Sequence, residues 1–341
     1  ELITYYWLNE FGFRDDISIE HGLIEFGNDE ITHNVEFGIH PRIESKKFNT
    51  SYDGKNISIK KIAKVLFEEG KYPELLSGNL IQNVSDGKKL IKNACSIARI
   101  NNILITCNVN TITDNTMEIT MNALIDKPYA IVECKRVGVE DGARKGPTTI
   151  EKAKQGAYVA SHASKLQKIK DSNGNEYGAI PNDKGGFIVK PYADMLHELL
   201  YKSYSAELED MVLTIGITSN HGNWFTSNSM NKELKVLRQS YDWLLFLNDI
   251  ALCQFISDLI LNETSIKKAF EYSYSGERKK GEANWITKSK LESCAHSELI
   301  EYFHTNHNEI SQNWFSVLSP SRGTIDGLVK DLSALKEKEW K

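Results

Sequence analysis

The chain has 341 residues, enough for one large domain or two ordinary ones, and its 40% hydrophobic and 26% charged residues are typical of a globular protein. Its formal net charge of −5 argues against a protein that coats nucleic acid regardless of sequence, because such proteins are basic overall. No apolar run reaches the roughly 18 residues of a membrane-spanning helix, so we expect no membrane partner.

The sequence also lacks two common motifs, and their absence argues against further classes of protein. The five cysteines are scattered and form no C-x-x-C pair, which favours a reducing, cytoplasmic location over a disulfide framework or a zinc site. There is no G-x-x-x-x-G-K-[ST] motif, so we expect no nucleotide cofactor.

The first 85 residues are predicted to be a mixed α/β segment, with a helix over Ile57–Glu69 where apolar residues recur at helical spacing. A second helix is predicted from Asp86, because the apolar residues from Leu90 to Ala98 form one broad face. Three strands are then predicted, over Ile103–Val109, Met117–Ile125 and Tyr129–Lys135. The last two are expected to form a hairpin around the turn at 126–128.

The predicted elements beyond this point complete an α/β core. A long helix begins at Pro147, and its repeated alanines suggest close packing on a sheet. A loop rich in Gly, Asn and Asp over 170–186 precedes a helix over Tyr192–Tyr204, and the apolar run Val212–Thr218 is typical of a buried strand. Three further helices are predicted after Met230: Leu234–Leu261, Glu263–Ser273 and Lys288–Asn306.

The strand ending in Ile131-Val-Glu-Cys-Lys135 carries the most informative chemistry. Side chains alternate along a strand, so Glu133 and Lys135 project from the same face. A carboxylate binds a hard cation such as Mg²⁺, and a neighbouring ammonium can orient a water molecule or offset charge on a phosphate. The pair therefore predicts a metal-dependent hydrolytic site at the end of this strand. The alternative interpretation is an ordinary strand that ends in solvated charges.

In this region the sequence resembles the PD-(D/E)XK nuclease superfamily, which includes most restriction endonucleases. The resemblance rests on Glu133-Cys-Lys135 and on the order of elements over 86–218. It implies a restriction-endonuclease-like core, an α-β-β-β-α-β mixed sheet flanked by helices, with E-x-K on the third strand. Some members also carry a Gln and a Tyr on the next helix. Gln155 and Tyr158 are similar, although the family spacing is usually one residue longer.

The resemblance implies an aspartate opposite Glu133 on the preceding strand, where this sequence has none. A turn centred between Lys127 and Pro128 would place Asn122 opposite Glu133, and a turn centred one residue earlier would place Thr120 there. Three explanations are open. Asn122 could be an Asp→Asn change that stops cleavage, Glu118 or Asp126 could supply the carboxylate, or the protein could be inactive. We prefer the first, because Asn keeps the shape of Asp and loses only its charge.

Basic and aromatic residues near the predicted strand and in later loops are candidates for DNA binding, since such residues contact phosphates and base edges. They are Arg136, Arg144, Lys145, Lys152, Lys154, Trp224, Arg278, Lys279, Lys280 and Trp285.

The leading hypothesis is a type II restriction endonuclease, in which residues 86–230 form the nuclease core with an insertion at about 170–210. It would cut double-stranded DNA at specific sites with Mg²⁺. The helical C-terminal region, 231–341, would serve recognition or assembly of a homodimer, because a two-fold dimer cuts both strands of a palindrome. The rival hypothesis is a non-catalytic DNA-binding protein that retains the nuclease fold.

Overall fold

The structure is a computed structural model. It describes residues 1–51, 94–112, 115–136, 147–182, 184–202, 210–219, 226, 228–229, 232–274 and 293–340. The predicted helix over Ile57–Glu69 lies outside these residues. Within the described ranges, no helix is long and apolar enough to cross a membrane.

Thirteen strands lie in the described residues: β1 (Ile17–Glu25), β2 (Asn28–Ile39), β3 (Arg42–Ser51), β4 (Ala94–Ile100), β5 (Ile103–Ile112), β6 (Thr116–Ile125), β7 (Ala130–Arg136), β8 (Gln167–Lys170), β9 (Glu176–Pro181), β10 (Phe187–Pro191), β11 (Leu213–Ser219), β12 (Trp243–Leu247) and β13 (Phe315–Ser319). The longer helices are α1 (Leu2–Glu10), α2 (Pro147–Ala163), α3 (Tyr192–Tyr201), α4 (Lys232–Ser240), α5 (Asp249–Phe255), α6 (Ser265–Tyr274), α7 (Ser293–Thr305) and α8 (Ile325–Lys336).

The chain divides into two compact units, each assembled from separate stretches of sequence. Unit 1 comprises Glu1–Ile19, His40–Lys127 and Cys253–Asn308. Unit 2 comprises Glu20–Ile39, Pro128–Leu252 and Glu309–Lys341. These divisions differ from the predicted boundaries after residues 85 and 230, because contacts distant in sequence determine the units.

Unit 1 contains the four-stranded sheet β3-β6-β5-β4, in which every neighbouring pair is antiparallel. Its β5 and β6 match two of the strands predicted from the sequence. The strand β4 corrects the predicted helix from Asp86, since Ala94–Ile100 pairs with β5. Pairing with a neighbouring strand here overrides the helical spacing of the apolar residues.

Unit 2 is centred on the mixed sheet β1-β2-β7-β11-β12-β13. Strands β7, β11 and β12 are parallel neighbours, whereas β2 is antiparallel to β7 and β13 to β12. Strand β7 therefore lies inside the sheet, with a partner on each side. The fold is mixed α/β with helices against a mixed sheet, as the sequence predicts at this coarse level.

Helix α2 packs on this sheet through its alanines. Ala160 joins a buried cluster with residues of α4 and β12, including Leu237 and Leu244. Ala163 joins a second cluster with Val35 of β2 and Ile131 of β7. Small side chains let the helix approach the strands closely, which confirms the packing predicted from the alanine pattern. Helix α2 is thereby held across the strand that carries Glu133.

Two sequence predictions for unit 2 are wrong. The loop predicted over 170–186 contributes to the three-stranded antiparallel sheet β10-β9-β8. The single helix predicted over Leu234–Leu261 is α4, then strand β12, then α5. The run Trp243-Leu-Leu-Phe-Leu247 is buried at every position and pairs with a strand on each side. A short run buried on both faces has no alternation, so its sequence resembles a buried helix. The C-terminal region is therefore not purely helical, because β12 and β13 belong to the main sheet.

Candidate active site

Strand β7 places Glu133 and Lys135 on one face of the unit 2 sheet. The residues before them, Ala130, Ile131 and Val132, are completely buried, as expected for a central strand. Glu133 is itself only 2% exposed. A buried carboxylate is costly unless cations or hydrogen-bond donors surround it, so this position requires partners.

Glu36 of β2 is the acidic residue beside Glu133. Strands β2 and β7 pair with Phe37 opposite Val132, and continuing this register by one step brings Glu36 to Glu133. The backbone N–H of Glu36 donates to Oε1 of Glu133 over 3.3 Å, and the backbone N–H of Cys134 donates to Oε2 of Glu36 over 2.5 Å. Each carboxyl group thus accepts a hydrogen bond from the backbone of the neighbouring strand.

The ammonium of Lys135 bridges the two carboxylates. Its Nζ lies 2.5 Å from Oε2 of Glu133 and 3.4 Å from Oε1 of Glu36. Burial acts to lower the pKa of Lys135, but the two carboxylates outweigh it and raise the pKa above its ordinary value. The lysine therefore stays protonated at neutral pH. Its positive charge reduces the repulsion between the two buried carboxylates.

Helix α2 covers the lysine at a glycine. A Cβ on Gly156 would lie 3.2 Å from Cε of Lys135, closer than almost all ordinary contacts. The absence of a side chain at this position gives the aliphatic part of Lys135 room beneath the helix. The position of the α2 backbone therefore limits where the Lys135 ammonium can lie.

Tyr158 of α2 belongs to a separate polar cluster with the β1–β2 hairpin. Its hydroxyl donates to Oε2 of Glu25 over 3.1 Å, and Nε2 of His33 lies 2.9 Å from the same oxygen. The ring of His162 stacks on Tyr158 with centroids 4.0 Å apart. The hydrogen bond from His33 is the largest of the effects that lower the pKa of Glu25. The cluster ties the second half of α2 to the edge of the sheet.

The structure does not form the predicted hairpin that would place Asn122 opposite Glu133. Strand β6 pairs with β3 and β5, whereas β7 pairs with β2 and β11, so the two strands belong to different sheets. Asn122 is fully buried in unit 1, and its amide donates to Oδ1 of Asp15 over 3.5 Å. The chain leaves one sheet and enters the other at 126–128, so this connection is not a hairpin turn. Thr120, on the same strand, is excluded from the position for the same reason.

The two alternative acids also lie in unit 1 and have basic partners. Glu118 accepts hydrogen bonds from Lys47 over 3.1 Å and from the Asn110 amide over 2.8 Å, and the Asn110 bond is the larger cause of its lowered pKa. Asp126 pairs with Arg99 over 2.8 Å, while burial raises its pKa. In each case the carboxylate already has a local counterion or donor.

Of the remaining predicted residues, Gln155 and Lys154 are exposed on α2. Arg136 is the last residue of β7 and Lys152 lies in α2, but their side chains are outside the described part of the structure. The other DNA-binding candidates also lie outside the described residues: Arg144, Lys145, Trp224, Arg278, Lys279, Lys280 and Trp285. Their roles stay predictions.

The donor set of the cluster suits Mg²⁺. Among the described residues no group of three or more His, Cys, Asp or Glu side chains is placed to hold a metal ion, so the cluster offers two carboxylates, from Glu36 and Glu133. Mg²⁺ commonly binds through one or two carboxylates and takes its other ligands from water and substrate phosphates. The present Lys135 contact shows that a cation is stabilised between these acids.

Glu36 is the residue that sequence reasoning missed. Its signal is a single acid inside the apolar run Val35-Glu-Phe-Gly-Ile39, all of which is buried. That run lies almost a hundred residues before Glu133, so no local turn rule connects them. Comparison of the chain with protein-family models, curated proteins and solved structures found no match.

Proposed function

We propose that the protein is a Mg²⁺-dependent endonuclease that cuts double-stranded DNA at specific sites, with Glu36, Glu133 and Lys135 as its active site. The observation that supports this is the convergence of two buried carboxylates and one ammonium on the neighbouring strands β2 and β7. The proposal no longer requires an altered Asn122, because Glu36 takes the place of the acid that the resemblance implies.

The order of elements in unit 2 supports the same proposal. Strands β1, β2 and β7 are successive neighbours in the sheet, helix α2 follows β7, and β11 then pairs with β7 in parallel. This is a β-β-β-α-β order with Glu133 and Lys135 on the third strand, and α1 precedes it in the chain. Residues 40–127 are inserted between the second and third strands, which is why the pattern is not contiguous in the sequence.

Each residue of the cluster has a defined task in phosphodiester hydrolysis. Glu36 and Glu133 would hold the cation, which when bound supplies a Lewis acid and lowers the pKa of water. Lys135 donates a hydrogen bond to a phosphate oxygen or to the attacking water, and its positive charge offsets charge developing on the phosphate. The water oxygen bonds to phosphorus and loses a proton to solvent, while the bond from phosphorus to the 3′ oxygen breaks. The 3′ oxygen takes up a proton, so the products are a 3′-hydroxyl and a 5′-phosphate.

The test is digestion of genome-length bacterial DNA by the purified chain, with Mg²⁺ or with EDTA. Because the target sequence is undefined, a long DNA ensures that it contains sites. We expect discrete fragments only with Mg²⁺, and end sequencing should find 5′-phosphates at one recurring sequence. Site-specific binding without cleavage in Mg²⁺ or Mn²⁺ would contradict the proposal and favour a non-catalytic DNA-binding protein.

A further inference from the structure

Tyr241 is a buried tyrosine next to the proposed active site. The side chain lies in unit 2 between α4 and β12 and is fully buried. Within the part of the chain that the structure describes, its hydroxyl oxygen has no hydrogen-bond partner. Buried hydroxyl groups nearly always have a partner, so this one requires an explanation.

Two glycines direct this tyrosine toward the cluster. A Cβ on Gly216 would lie 2.7 Å from Cδ2 of the Tyr241 ring, and Gly216 is the residue opposite Glu133 in the β7–β11 pairing. A Cβ on Gly156 would lie 2.9 Å from the Tyr241 hydroxyl oxygen and 3.2 Å from Cε of Lys135. The ring therefore lies over β11 beside Glu133, and its hydroxyl reaches the place where α2 covers Lys135.

Thr218 supplies a second buried hydroxyl on the same side of the sheet. It is opposite Lys135 in the β7–β11 pairing, two residues after Gly216, so its side chain shares a face with Glu133 and Lys135. Thr218 is fully buried, and among the described residues its hydroxyl oxygen has no hydrogen-bond partner. The described part of the chain therefore has two hydroxyls without a hydrogen-bond partner on the face of the sheet that carries Lys135.

We propose that the hydroxyls of Tyr241 and Thr218 hold a buried water molecule beside Lys135, and that Tyr241 acts through this water as a positioning residue for the lysine. The inference extends the proposed function, on which its catalytic part rests. A water molecule fits the available groups because it can accept from Tyr241 and Lys135 and donate to Thr218 and to a Glu133 carboxylate oxygen. Three or four such bonds are what a buried water usually makes.

The electrostatic surroundings keep Tyr241 a donor. Burial is the largest cause that raises its pKa well above the ordinary value, and the charges of Glu133 and Glu36 act in the same direction. The hydroxyl therefore stays protonated at neutral pH. It can hold a water in place but cannot remove a proton from one.

The test compares Tyr241→Phe, Thr218→Val and the double variant. Each single change keeps the side-chain shape and removes one hydroxyl. We expect kcat for DNA cleavage to fall about tenfold in each single variant, while KM stays unchanged. The double variant should lose little more than either single one, because both hydroxyls act through the same water. Melting temperatures should fall only slightly, because each change removes one hydrogen bond to the buried water.

Tyr201→Phe is the matched control. Its hydroxyl donates to Asp331 over 2.5 Å in the same unit, so its removal should lower the melting temperature without lowering kcat. Two results would overturn the proposal. One is a wild-type kcat in Tyr241→Phe, and the other is a loss of kcat in that variant that is fully explained by its smaller folded fraction.

A high-resolution crystal structure tests the water itself, whether or not the protein cuts DNA. We expect an ordered oxygen within about 3.2 Å of the hydroxyls of both Tyr241 and Thr218, and its loss in Tyr241→Phe. An empty, dry space at this position would refute the inference. Failure of the wild-type protein to cut DNA would instead count against the proposed function.

Discussion

At the scale of single residues, Lys135 is a resident cation between two acids that would otherwise repel each other. Removing one partner of such a buried group leaves an uncompensated charge, which typically costs several kcal/mol. The same two carboxylates are the ones that we assign to Mg²⁺. Stability without DNA can therefore report on the site.

We predict that Lys135→Met lowers the free energy of unfolding by about 3 kcal/mol in EDTA, because Glu36 and Glu133 lose their ammonium. Added Mg²⁺ should raise the melting temperature of this variant more than that of the wild type, since a divalent cation replaces the lost charge. Thermal unfolding with and without Mg²⁺ measures both effects.

The control is the double variant Glu36→Gln with Lys135→Met. One carboxylate is then missing, so most of the additional Mg²⁺ stabilisation should disappear. Equal stabilisation of the wild type and Lys135→Met by Mg²⁺ would count against a cation site at these acids.

The sequence predicted Glu133 and Lys135 but not Glu36, and the reason is the range of the interaction. Alternation along one strand is a local property, so the pair could be assigned to a common face from seven residues. Choosing the acid opposite Glu133 required knowing which strand is the neighbour. The prediction of Asn122 requires that strands adjacent in the sequence also pair, whereas β6 pairs with β5 and β7 pairs with β2.

At the scale of elements, helix α2 connects the sheet, the lysine and Tyr241 at Gly156. A glycine within a helix is usually less stable than alanine by up to about 1 kcal/mol. Here a Cβ would press on the Tyr241 hydroxyl at 2.9 Å and on Lys135 at 3.2 Å. Helix propensity therefore favours alanine at position 156, whereas the geometry of the site favours glycine.

We predict that Gly156→Ala lowers the cleavage rate about tenfold or more, because Lys135 and Tyr241 must shift away from the added methyl group. Helix content by circular dichroism should stay at the wild-type level. Ser161→Ala on the same helix is the control. Its hydroxyl contacts the carbonyl of Tyr158 and the ring of His162, both on α2, so cleavage should continue. Full activity of Gly156→Ala would mean that the helix does not set the position of the lysine.

Elements with a clear period or a strong boundary were predictable. The strands β5, β6, β7 and β11 and helix α2 lie close to their predicted positions. The predictions that are wrong concern elements whose structure depends on neighbouring strands in the sheet. Strand β4 has helical spacing but pairs with β5, and β12 has no alternation because it is buried on both faces.

At the scale of the whole molecule, unit 1 contains two buried histidines that make it sensitive to acid. Burial is the main cause that lowers the pKa of His40 from 6.5 to about 4, and also that of His296 from 6.5 to about 3. His40 is held by Ser18 over 2.7 Å and by the carbonyl of Ile125 over 2.9 Å. At a pH between its folded-state pKa and 6.5, each histidine is therefore neutral in the folded protein and protonated in the unfolded chain.

We predict that unit 1 loses stability as the pH falls from about 6.5 toward 4. Because both folded-state pKa values lie below 6.5, the unfolded state binds more protons, so protonation favours unfolding. The slope should approach about 1.4 kcal/mol per pH unit for each histidine. Hydrogen exchange by mass spectrometry at pH 7, 6 and 5 should detect it, after correction for the intrinsic exchange rate. His40→Asn should reduce the slope, and an unchanged slope in that variant would contradict this explanation.

In the proposed site Glu36, and not Asn122, is the acid that acts with Glu133 and Lys135. This assignment is tested by measuring Mg²⁺-dependent cleavage of DNA by Glu36→Gln, Glu133→Gln and Asn122→Ala, each corrected for its folded fraction. Asn122→Ala should fold, because its amide makes one long hydrogen bond and its oxygen has no partner among the described residues.

We expect Glu36→Gln and Glu133→Gln to lose cleavage by on the order of a hundredfold or more, because each removes a charged ligand for the cation. Asn122→Ala should cut within a few-fold of the wild-type rate. Near-normal cleavage by Glu36→Gln, together with loss of cleavage in Asn122→Ala, would contradict the account.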